Sequence, residues 1–279
     1  MNYNRTVYVE ASKAPMLNTG EIKLHDNEAF AAMRKAGAIA AGALDMMAKI
    51  IRPGMTTQEI DDLAFSYGMD NGALPATLHY RGFTASVCTS INHVVCHGIP
   101  GSRVLKDGDI VNIDVTYIVD GWHGDSSRMF QVGKISRKAE RLIAVTYEAM
   151  MRGINVIRPG ATTGDIGAAI QSYVESERMS VVRDFCGHGL GRLFHDAPNI
   201  LHYGRAGQGI ELKEGMLFTV EPMVNLGRPH VKVLKDGWTA VTKDRSLSAQ
   251  FEHSVGVTAE GVEIFTLSRT GQTHPPYTS

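Results

Sequence analysis

Two stretches of the sequence, Leu105-Lys-Asp-Gly-Asp-Ile-Val-Asn-Ile-Asp114 and Leu212-Lys-Glu-Gly-Met-Leu-Phe-Thr-Val-Glu221, share one pattern: an aliphatic residue, Lys, an acid, Gly and a closing carboxylate after an apolar run. A second pair, Ile51-Arg-Pro-Gly-Met-Thr-Thr-Gln-Glu-Ile60 and Ile157-Arg-Pro-Gly-Ala-Thr-Thr-Gly-Asp-Ile166, lies at nearly the same offset. Two matches at one offset indicate a duplicated half-domain. Each copy ends on an acid at the edge of a buried strand, so the duplication is expected to bring carboxylates together. Carboxylates cluster in an apolar core only around something cationic.

The bulk composition is that of an ordinary globular protein. Of 279 residues, 43% are hydrophobic and 20% charged, and the formal net charge is -1, which gives no support for nucleic-acid or membrane binding as the main activity. Cys88, Cys96 and Cys186 are too few and too scattered for a disulfide framework or a Cys-rich zinc site. No apolar leader and no segment of membrane-spanning length is present. A cytoplasmic protein is expected.

Helix and strand signals predict an α+β fold. Residues 1–26 are polar and aperiodic and are expected to be an extension on the surface. Residues 27–279 are expected to form one domain, with halves of about 27–133 and 134–268. Each half starts with a helix, stopped by Arg-Pro-Gly and followed by a second helix whose capping box begins at Thr56 or Thr162. Strand-like segments fall around 82–90, 93–97, 109–119, 122–132, 181–187, 216–224, 231–234, 238–242 and 250–258, so a sheet covered by helices on one side is expected.

One hairpin can be placed in register from the sequence alone. Asp120-Gly121 is a strong signal for a two-residue turn between apolar strands, and it pairs Thr116 with Asp125. Asp114 lies two residues before Thr116, so it faces the same side of the sheet as Asp125. Two solvent-facing acids on an edge hairpin are the alternative interpretation.

Three further segments complete a set of candidate metal ligands. His188 lies among glycines in Cys186-Gly-His-Gly-Leu-Gly191, Glu221 precedes a proline, and Glu252 precedes an apolar strand. With Asp114 and Asp125 this makes four carboxylates and one imidazole. Their charge of about -4 is balanced by two divalent cations. An oxygen-rich set with a single imidazole is typical of a binuclear hydrolytic site rather than a structural zinc site.

With these residues in place the sequence resembles the type I methionine aminopeptidases, whose fold is called pita-bread. The resemblance runs from about Asp26 to about Leu267. It implies two pseudo-symmetric half-domains that form a curved antiparallel sheet covered by helices. The motifs that support it are Ser90-Ile-Asn92, Val95-Cys-His-Gly-Ile-Pro100, Asp109-Ile-Val-Asn-Ile-Asp114, His123-Gly-Asp125, Gly187-His-Gly189, Phe218-Thr-Val-Glu-Pro-Met223 and Ser248-Ala-Gln-Phe-Glu252.

The resemblance implies a hydrolase that removes the initiator methionine from nascent proteins when the second residue is small. Asp125 and Glu252 would bridge two divalent ions, Asp114 would chelate one of them, and His188 with Glu221 would bind the other. Co²⁺, Mn²⁺, Fe²⁺ and Zn²⁺ are all candidates. A hydroxide bridging the ions would attack the first peptide carbonyl, and Glu221 would shuttle the proton.

Further roles follow from the same resemblance. His195 would stabilise the oxyanion, and His97 would contact the scissile amide or the incoming residue. Thr77 and His93 depart from the residue types expected at their positions. The methionine side chain would lie in an apolar pocket formed by Tyr80, Phe83, Cys88, Phe194 and Trp238.

The resemblance also implies partners. The backbone carbonyls of Asn92 and Val94, with Ser248, resemble a monovalent-cation site of some relatives. Basic residues resemble a loop that docks related bacterial enzymes on the ribosome, although a solvated charged hairpin is an equal alternative. These residues are Arg228, Lys232, Lys235, Lys243 and Arg245. A monomer with no membrane association is expected.

Three alternative functions remain open. A prolidase or Xaa-Pro aminopeptidase shares the core, but such chains usually have an additional N-terminal domain. A catalytically silent binding protein of the same fold typically lacks metal ligands, whereas this chain has all five. A creatinase-like hydrolase without metals is disfavoured for the same reason.

Overall fold

The computed structural model describes residues 6–277, so residues 1–5 of the predicted extension and the last two residues lie outside it. Four α-helices are present in the described part: α1 Asn27–Ile50, α2 Thr57–Asp70, α3 Arg137–Asn155 and α4 Thr163–Ser176. None of its helices has the length and apolar character needed to cross a lipid bilayer. The strands are β1 Tyr8–Glu10, β2 Ile22–Leu24, β3 Leu74–Pro75, β4 Val87–Ile91, β5 Val94–Cys96, β6 Ile110–Val119, β7 Trp122–Gln131, β8 Ser180–Val181, β9 Gly187–Gly189, β10 Asp196–Ile200, β11 Leu217–Val220, β12 Met223–Asn225, β13 Val231–Val233, β14 Ala240–Thr242, β15 Ser248–Gln250, β16 Glu252–Thr258 and β17 Gly261–Ile264.

The central sheet contains strands from both halves of the chain. Its order is β10-β9-β11-β16-β7-β6-β3, with β4 also paired to β6 and β17 to β16. The neighbours along this order are antiparallel. The α+β class and the curved antiparallel sheet are confirmed.

The sequence duplication corresponds to a structural one. Thr56 and Thr162 both cap their helices through complete capping boxes, at α2 and α4. Each also forms an isolated bridge to the residue that precedes its Leu-Lys-acid-Gly stretch, Val104 in the first half and Glu211 in the second. Equivalent hydrogen bonds join Gly54 N to Leu105 O and Gly160 N to Leu212 O, each 2.9 Å long. The turn that precedes β6 is therefore built like the turn that precedes β11.

Alternation along β6 separates core residues from site residues. Val111, Ile113 and Val115 are fully buried in the apolar core beneath α1 and α2. Asp114 and Thr116 lie on the opposite face, where they line a cavity. The period of two in a strand thus determines which residues of β6 can reach a ligand.

Several predicted elements need correction. The predicted strand 181–187 exists only at its two ends, as β8 and the start of β9. The predicted strand 216–224 is interrupted at Glu221-Pro222, because proline cannot donate a hydrogen bond to the ladder. The predicted extension does not simply lie on the surface. Its β2 pairs with β1, and Ile22 is 2% exposed within the main core. A three-residue strand is too short for its periodicity to be recognised.

Candidate active site

The β6–β7 hairpin has the predicted register. Val119 pairs with Trp122, and Thr116 pairs with Asp125. The Thr116 hydroxyl donates a 2.6 Å hydrogen bond to Oδ1 of Asp125, so the strand neighbour fixes the orientation of this carboxylate. Asp114 lines the same cavity as Asp125. The expected placement of both acids on one face is confirmed.

The five predicted ligands come from five adjacent strands. In the order of the sheet these strands are β9, β11, β16, β7 and β6. Each contributes one residue in or directly after it, and all five residues line one cavity. Neighbouring strands lie about 4.8 Å apart, so side chains on one concave face can converge. The residues are, in the same order, His188, Glu221, Glu252, Asp125 and Asp114.

Short distances join most of the set. Asp125, His188 and Glu252 each offer one ligand atom, and these atoms lie within 4.8 Å of one another. Nε2 of His188 is 3.6 Å from Oδ2 of Asp125 and 3.6 Å from Oε1 of Glu221. Glu221 therefore lies as close to the imidazole Nε2 of His188 as Asp125 does.

Two neutral side chains orient the Glu221 carboxylate. The Thr219 hydroxyl donates to Oε1 at 2.7 Å, and the Gln250 amide donates to Oε2 at 3.3 Å. Both Thr219 and Gln250 are buried. Hydrogen bonds of this kind hold a carboxylate without neutralising it, so its charge stays available for a cation.

Burial disfavours the charged forms of all four acids, and repulsion between carboxylates adds to this effect at Asp114, Glu221 and Glu252. Burial, opposed by the hydrogen bond from Thr116, raises the pKa of Asp125 to about 7. Burial, and then repulsion from Asp125, raises the pKa of Asp114 well above its usual value. The pKa values of Glu221 and Glu252 are raised in the same direction, again mainly by burial. Burial lowers the pKa of His188 to about 4, so this ring is neutral at pH 7 and can offer a lone pair.

The chemistry of the donor set fits divalent cations. Among the described residues no Lys or Arg forms an ion pair with any of the four acids. Four clustered carboxylates without a cationic partner are unstable as anions at neutral pH. Carboxylate oxygens with one neutral imidazole are the ligands that Mn²⁺, Fe²⁺, Co²⁺ and Zn²⁺ accept.

The cavity that the acids line has a volume of about 320 Å³, and its remaining walls are largely aromatic. Tyr80 contacts Phe194, with ring centroids 4.8 Å apart, and Phe83 packs edge-on against Trp238 at 5.2 Å. Cys88 is buried in the same wall. All five residues predicted for the methionine pocket line this cavity, which is large enough for one unbranched side chain.

The two predicted catalytic histidines also line the cavity. The ring of His195 lies 4.1 Å from that of His188 and stacks on Tyr80 at 5.2 Å. His97 lines the same cavity, with its ring centroid 6.1 Å from that of Trp238. Burial lowers the pKa of His195 to about 2 and lowers that of His97. Both rings are neutral at pH 7 and can donate an N–H to a substrate oxygen.

The two departures from the expected residue types are accommodated differently. Thr77 lines the cavity, and its hydroxyl donates a 2.5 Å hydrogen bond to the Ser86 carbonyl, so its polar end is satisfied within the wall. His93 is half-buried at a separate cavity next to Asn92. His253, interpreted from the sequence as a packing or surface residue, is buried and bonded to Thr266.

One residue of the site was missed by the sequence reasoning. His202 is fully buried, and its Nε2 accepts a 3.0 Å hydrogen bond from the backbone N–H of Glu221. Nε2 is therefore unprotonated, and Nδ1 has no partner among the described residues. The bond accepted by Nε2 is therefore the one hydrogen bond that this ring makes among the described residues. His202 thus fixes the backbone of Glu221, where the ladder of β11 has ended.

The predicted docking residues are not part of this site. Arg228, Lys232, Lys235, Lys243 and Arg245 are all exposed, on and beside the β13–β14 hairpin. Two aspartates lie in the same region: Asp244 accepts from the Arg228 N–H, and Asp236 accepts from the N–H groups of Trp238 and Thr239.

Comparisons with known proteins agree with this geometry. The model of metallopeptidase family M24 matches residues 31–259. A methionine aminopeptidase of Rickettsia prowazekii is 58% identical over 257 residues, which are 92% of this chain and 99% of the relative. A crystal structure of methionine aminopeptidase from Rickettsia prowazekii superposes with a TM-score of 0.88 at 59% identity, covering 88% of this chain and 100% of that one.

The proline-specific relatives are more distant. The prolidase of Pyrococcus furiosus superposes with a TM-score of 0.72 at 21% identity, and the match covers 88% of this chain but only 65% of the prolidase. At that identity the likeness establishes the fold alone. The high-identity relatives are all methionine aminopeptidases. The chain therefore belongs to metallopeptidase family M24 and, within it, to the type I methionine aminopeptidases.

Proposed function

We propose that this protein removes the N-terminal methionine from nascent proteins whose second residue is small. The observation that supports this most strongly is the juxtaposition of two features in one cavity. Asp114, Asp125, His188, Glu221 and Glu252 converge on one side, and a wall of aromatic side chains lies on the other. A hydrolytic centre that shares its cavity with an aromatic wall able to receive one side chain is suited to an exopeptidase.

The acidic cluster would hold two divalent cations. Asp125 and Glu252 lie in the middle of the five strands and would be shared, with Asp114 on one side and Glu221 with His188 on the other. Two ions balance four carboxylates, whereas one ion would leave roughly two negative charges uncompensated. Bound there, divalent cations supply a Lewis acid for the carbonyl and lower the pKa of water.

Glu221 is positioned to move the proton. Its carboxylate is held by Thr219 and Gln250, and its pKa is raised mainly by burial. It would accept a proton from the attacking water and return it to the leaving amine. His195 and His97, both neutral, would donate hydrogen bonds to the developing oxyanion and to the scissile amide.

The apolar pocket would select methionine by shape. A flexible thioether fills a close-fitting aromatic cavity well, and sulfur–aromatic contacts add to this preference. Tyr80, Phe83, Cys88, Phe194 and Trp238 would surround it.

Three further properties are proposed. A monovalent cation would bind near Ser248, whose buried Oγ has no partner among the described residues and whose N–H bonds to the Asn92 carbonyl at 2.8 Å. The protein would act as a monomer, since all five ligands come from one chain. Three free cysteines suit the reducing cytoplasm.

Docking on the ribosome is proposed for the β13–β14 hairpin. Its exposed cations, Arg228, Lys232, Lys235 and Lys243, would contact phosphates near the emerging chain. The amount of protein that pellets with ribosomes should fall steeply as the salt concentration rises. A variant with Lys232, Lys235 and Lys243 changed to Glu should not pellet with them. Pelleting that ignores salt and charge reversal would exclude this role.

The activity is tested by release of free methionine from Met-Ala-Ser, Met-Lys-Ser and, as a third substrate, Ala-Pro. Release from Met-Ala-Ser alone, lost in excess chelator and restored by Mn²⁺ or Co²⁺, is the expected result. Cleavage of Ala-Pro would indicate a proline-directed enzyme. If none of the three substrates is cleaved with metal bound, the protein is a binding protein.

A further inference from the structure

A buried ion pair joins the N-terminal segment to the active-site loop. We use the word strap for residues 8–25, which comprise β1, a 3-10 turn and β2, and the word loop for residues 190–196. Nζ of Lys23 lies 2.6 Å from Oδ2 of Asp196, and the two side chains are 10% and 7% exposed. Nζ also donates to the Leu17 carbonyl at 3.1 Å. Asp196 directly follows His195, so the strap holds the residue next to a proposed catalytic group.

The strap meets the loop at its other end as well. The His25 ring packs edge-on against Trp122 at 5.7 Å, and its backbone N–H donates to Gly215 O at 2.8 Å. A Cβ on Gly191 would lie 3.3 Å from the His25 ring and 3.4 Å from the Trp122 ring. Gly191 therefore rests against both rings, and the strap contacts the loop at residues 191 and 196.

The opposite side of the loop forms part of the wall of the substrate cavity. Gly191 O accepts hydrogen bonds from the backbone N–H and Nδ1 of His123, both at 2.9 Å. Phe194 stacks on His123, and His195 lies against His188. Residues 191–195 belong to no strand, so few backbone hydrogen bonds hold them. Their position depends on side-chain contacts from both sides.

Between the strap and the loop lies a cavity of about 690 Å³, lined by Met16 and Leu24 on one side and Arg192 and Leu193 on the other. Arg192 and Leu193, at the back of the loop, therefore face this cavity and not a continuous core. A segment backed by empty space can shift unless something ties it. Lys23 provides that tie, because each charge of a buried ion pair loses its compensation when the other moves away.

We infer that Lys23 is a positioning residue, whose ion pair with Asp196 holds the loop so that Phe194 and His195 face the substrate. The inference rests on the proposed role of His195. It assigns to the strap a function in catalysis, exerted from behind the loop and without contact with the substrate.

The test compares Lys23→Met with Lys13→Met. Lys13 is the matched control, because it lies in the same strap and pairs with Glu10 at 2.6 Å but is 74% exposed. Hydrogen exchange of the peptide covering 190–200 is measured in the metal-free protein, and kcat/KM on Met-Ala-Ser in the loaded protein. Lys23→Met should speed exchange in that peptide and lower kcat/KM about ten- to a hundredfold, since small misplacements of catalytic groups cost that much. Lys13→Met should change neither.

A double variant separates positioning from charge compensation. Lys23→Met with Asp196→Asn leaves no unpaired charge, so thermal stability should recover while exchange and kcat/KM stay impaired. Recovery of kcat/KM in the double variant, or unchanged exchange at 190–200 in Lys23→Met, would overturn the inference. The exchange readout needs no turnover, so it tests the strap even if wild-type protein releases no methionine.

Discussion

His202 should control metal binding although it contacts no metal. Replacing it with Leu introduces an apolar side chain of moderate size in its place and removes the acceptor for the Glu221 N–H. Replacing it with Gln keeps an acceptor, because Oε1 of Gln can reach the position that Nε2 occupies. Comparing the two variants isolates the effect of the hydrogen bond from the Glu221 N–H, which lies between the end of β11 and Pro222.

The magnitude follows from the burial of the acceptor ring. An unsatisfied buried N–H costs about 1–3 kcal/mol, and the fully buried ring offers no room for water to take the place of the lost acceptor. Part of this cost disappears if the Glu221 backbone moves, but then the carboxylate leaves Thr219 and Gln250. Groups that orient a metal ligand typically change affinity by about ten- to a hundredfold. His202→Leu is expected to lose that much affinity for Mn²⁺.

The assay is calorimetric titration of metal-free protein with Mn²⁺, together with kcat/KM on Met-Ala-Ser. His202→Gln should lie within about threefold of wild type in both measurements, a range too small to signal loss of a hydrogen bond. His202→Leu with wild-type affinity and activity would refute the argument. Equal loss in both variants would mean that the ring acts through its shape and not through its acceptor.

Four other changes have defined outcomes. Glu221→Gln should reduce kcat by at least about a hundredfold without unfolding, measured by turnover and circular dichroism; residual activity of several per cent would remove Glu221 as the proton shuttle. Asp114→Ala should lower bound metal per chain, measured by elemental analysis. Gly124→Ala should destabilise by about 1–3 kcal/mol in urea, because its Cβ would overlap the Ala36 backbone, whereas Gly101→Ala meets open space. In metal-free protein the pKa of Asp125 is raised from 3.8 to about 7, so its stabilising contribution is complete below about pH 4 and is lost as the pH rises through 7; the free energy of unfolding should fall across this range, and saturating Mn²⁺ should reduce the fall.

Local chemistry was enough to predict the hairpin. The turn at Asp120-Gly121 fixes which residues of β6 and β7 face each other, because a two-residue turn leaves no freedom in register. The capping boxes at Thr56 and Thr162 fix the starts of α2 and α4 for the same reason. These features depend only on residues that are close together in the sequence, so they can be predicted from it.

Features that depend on distant parts of the chain could not be predicted. β10 was missed because Asp196-Ala-Pro-Asn-Ile200 is polar and interrupted by proline, and it pairs only because β9 lies beside it. His202 lies in a segment without periodicity, and its role depends on a backbone N–H 19 residues away. Lys23 belongs to a polar stretch whose partner is 173 residues distant. In each case the structural role depends on a tertiary contact, and no pattern in the surrounding sequence indicates it.

The order of strands suggests why the ligands lie where they do. The two predicted halves meet in the central sheet where β16 pairs with β7, and that seam has only two residue pairs, compared with ten between β6 and β7. Side chains reinforce it: Ser126 donates to the Glu252 carbonyl at 2.8 Å, and Ser254 donates to the Asp125 carbonyl at 2.6 Å. Asp125 and Glu252, the two acids proposed to be shared between cations, lie on opposite sides of this seam. Cations held by both would therefore join the halves where only two residue pairs of backbone ladder connect them in the central sheet, so metal binding and cohesion of the duplicated fold would depend on the same residues.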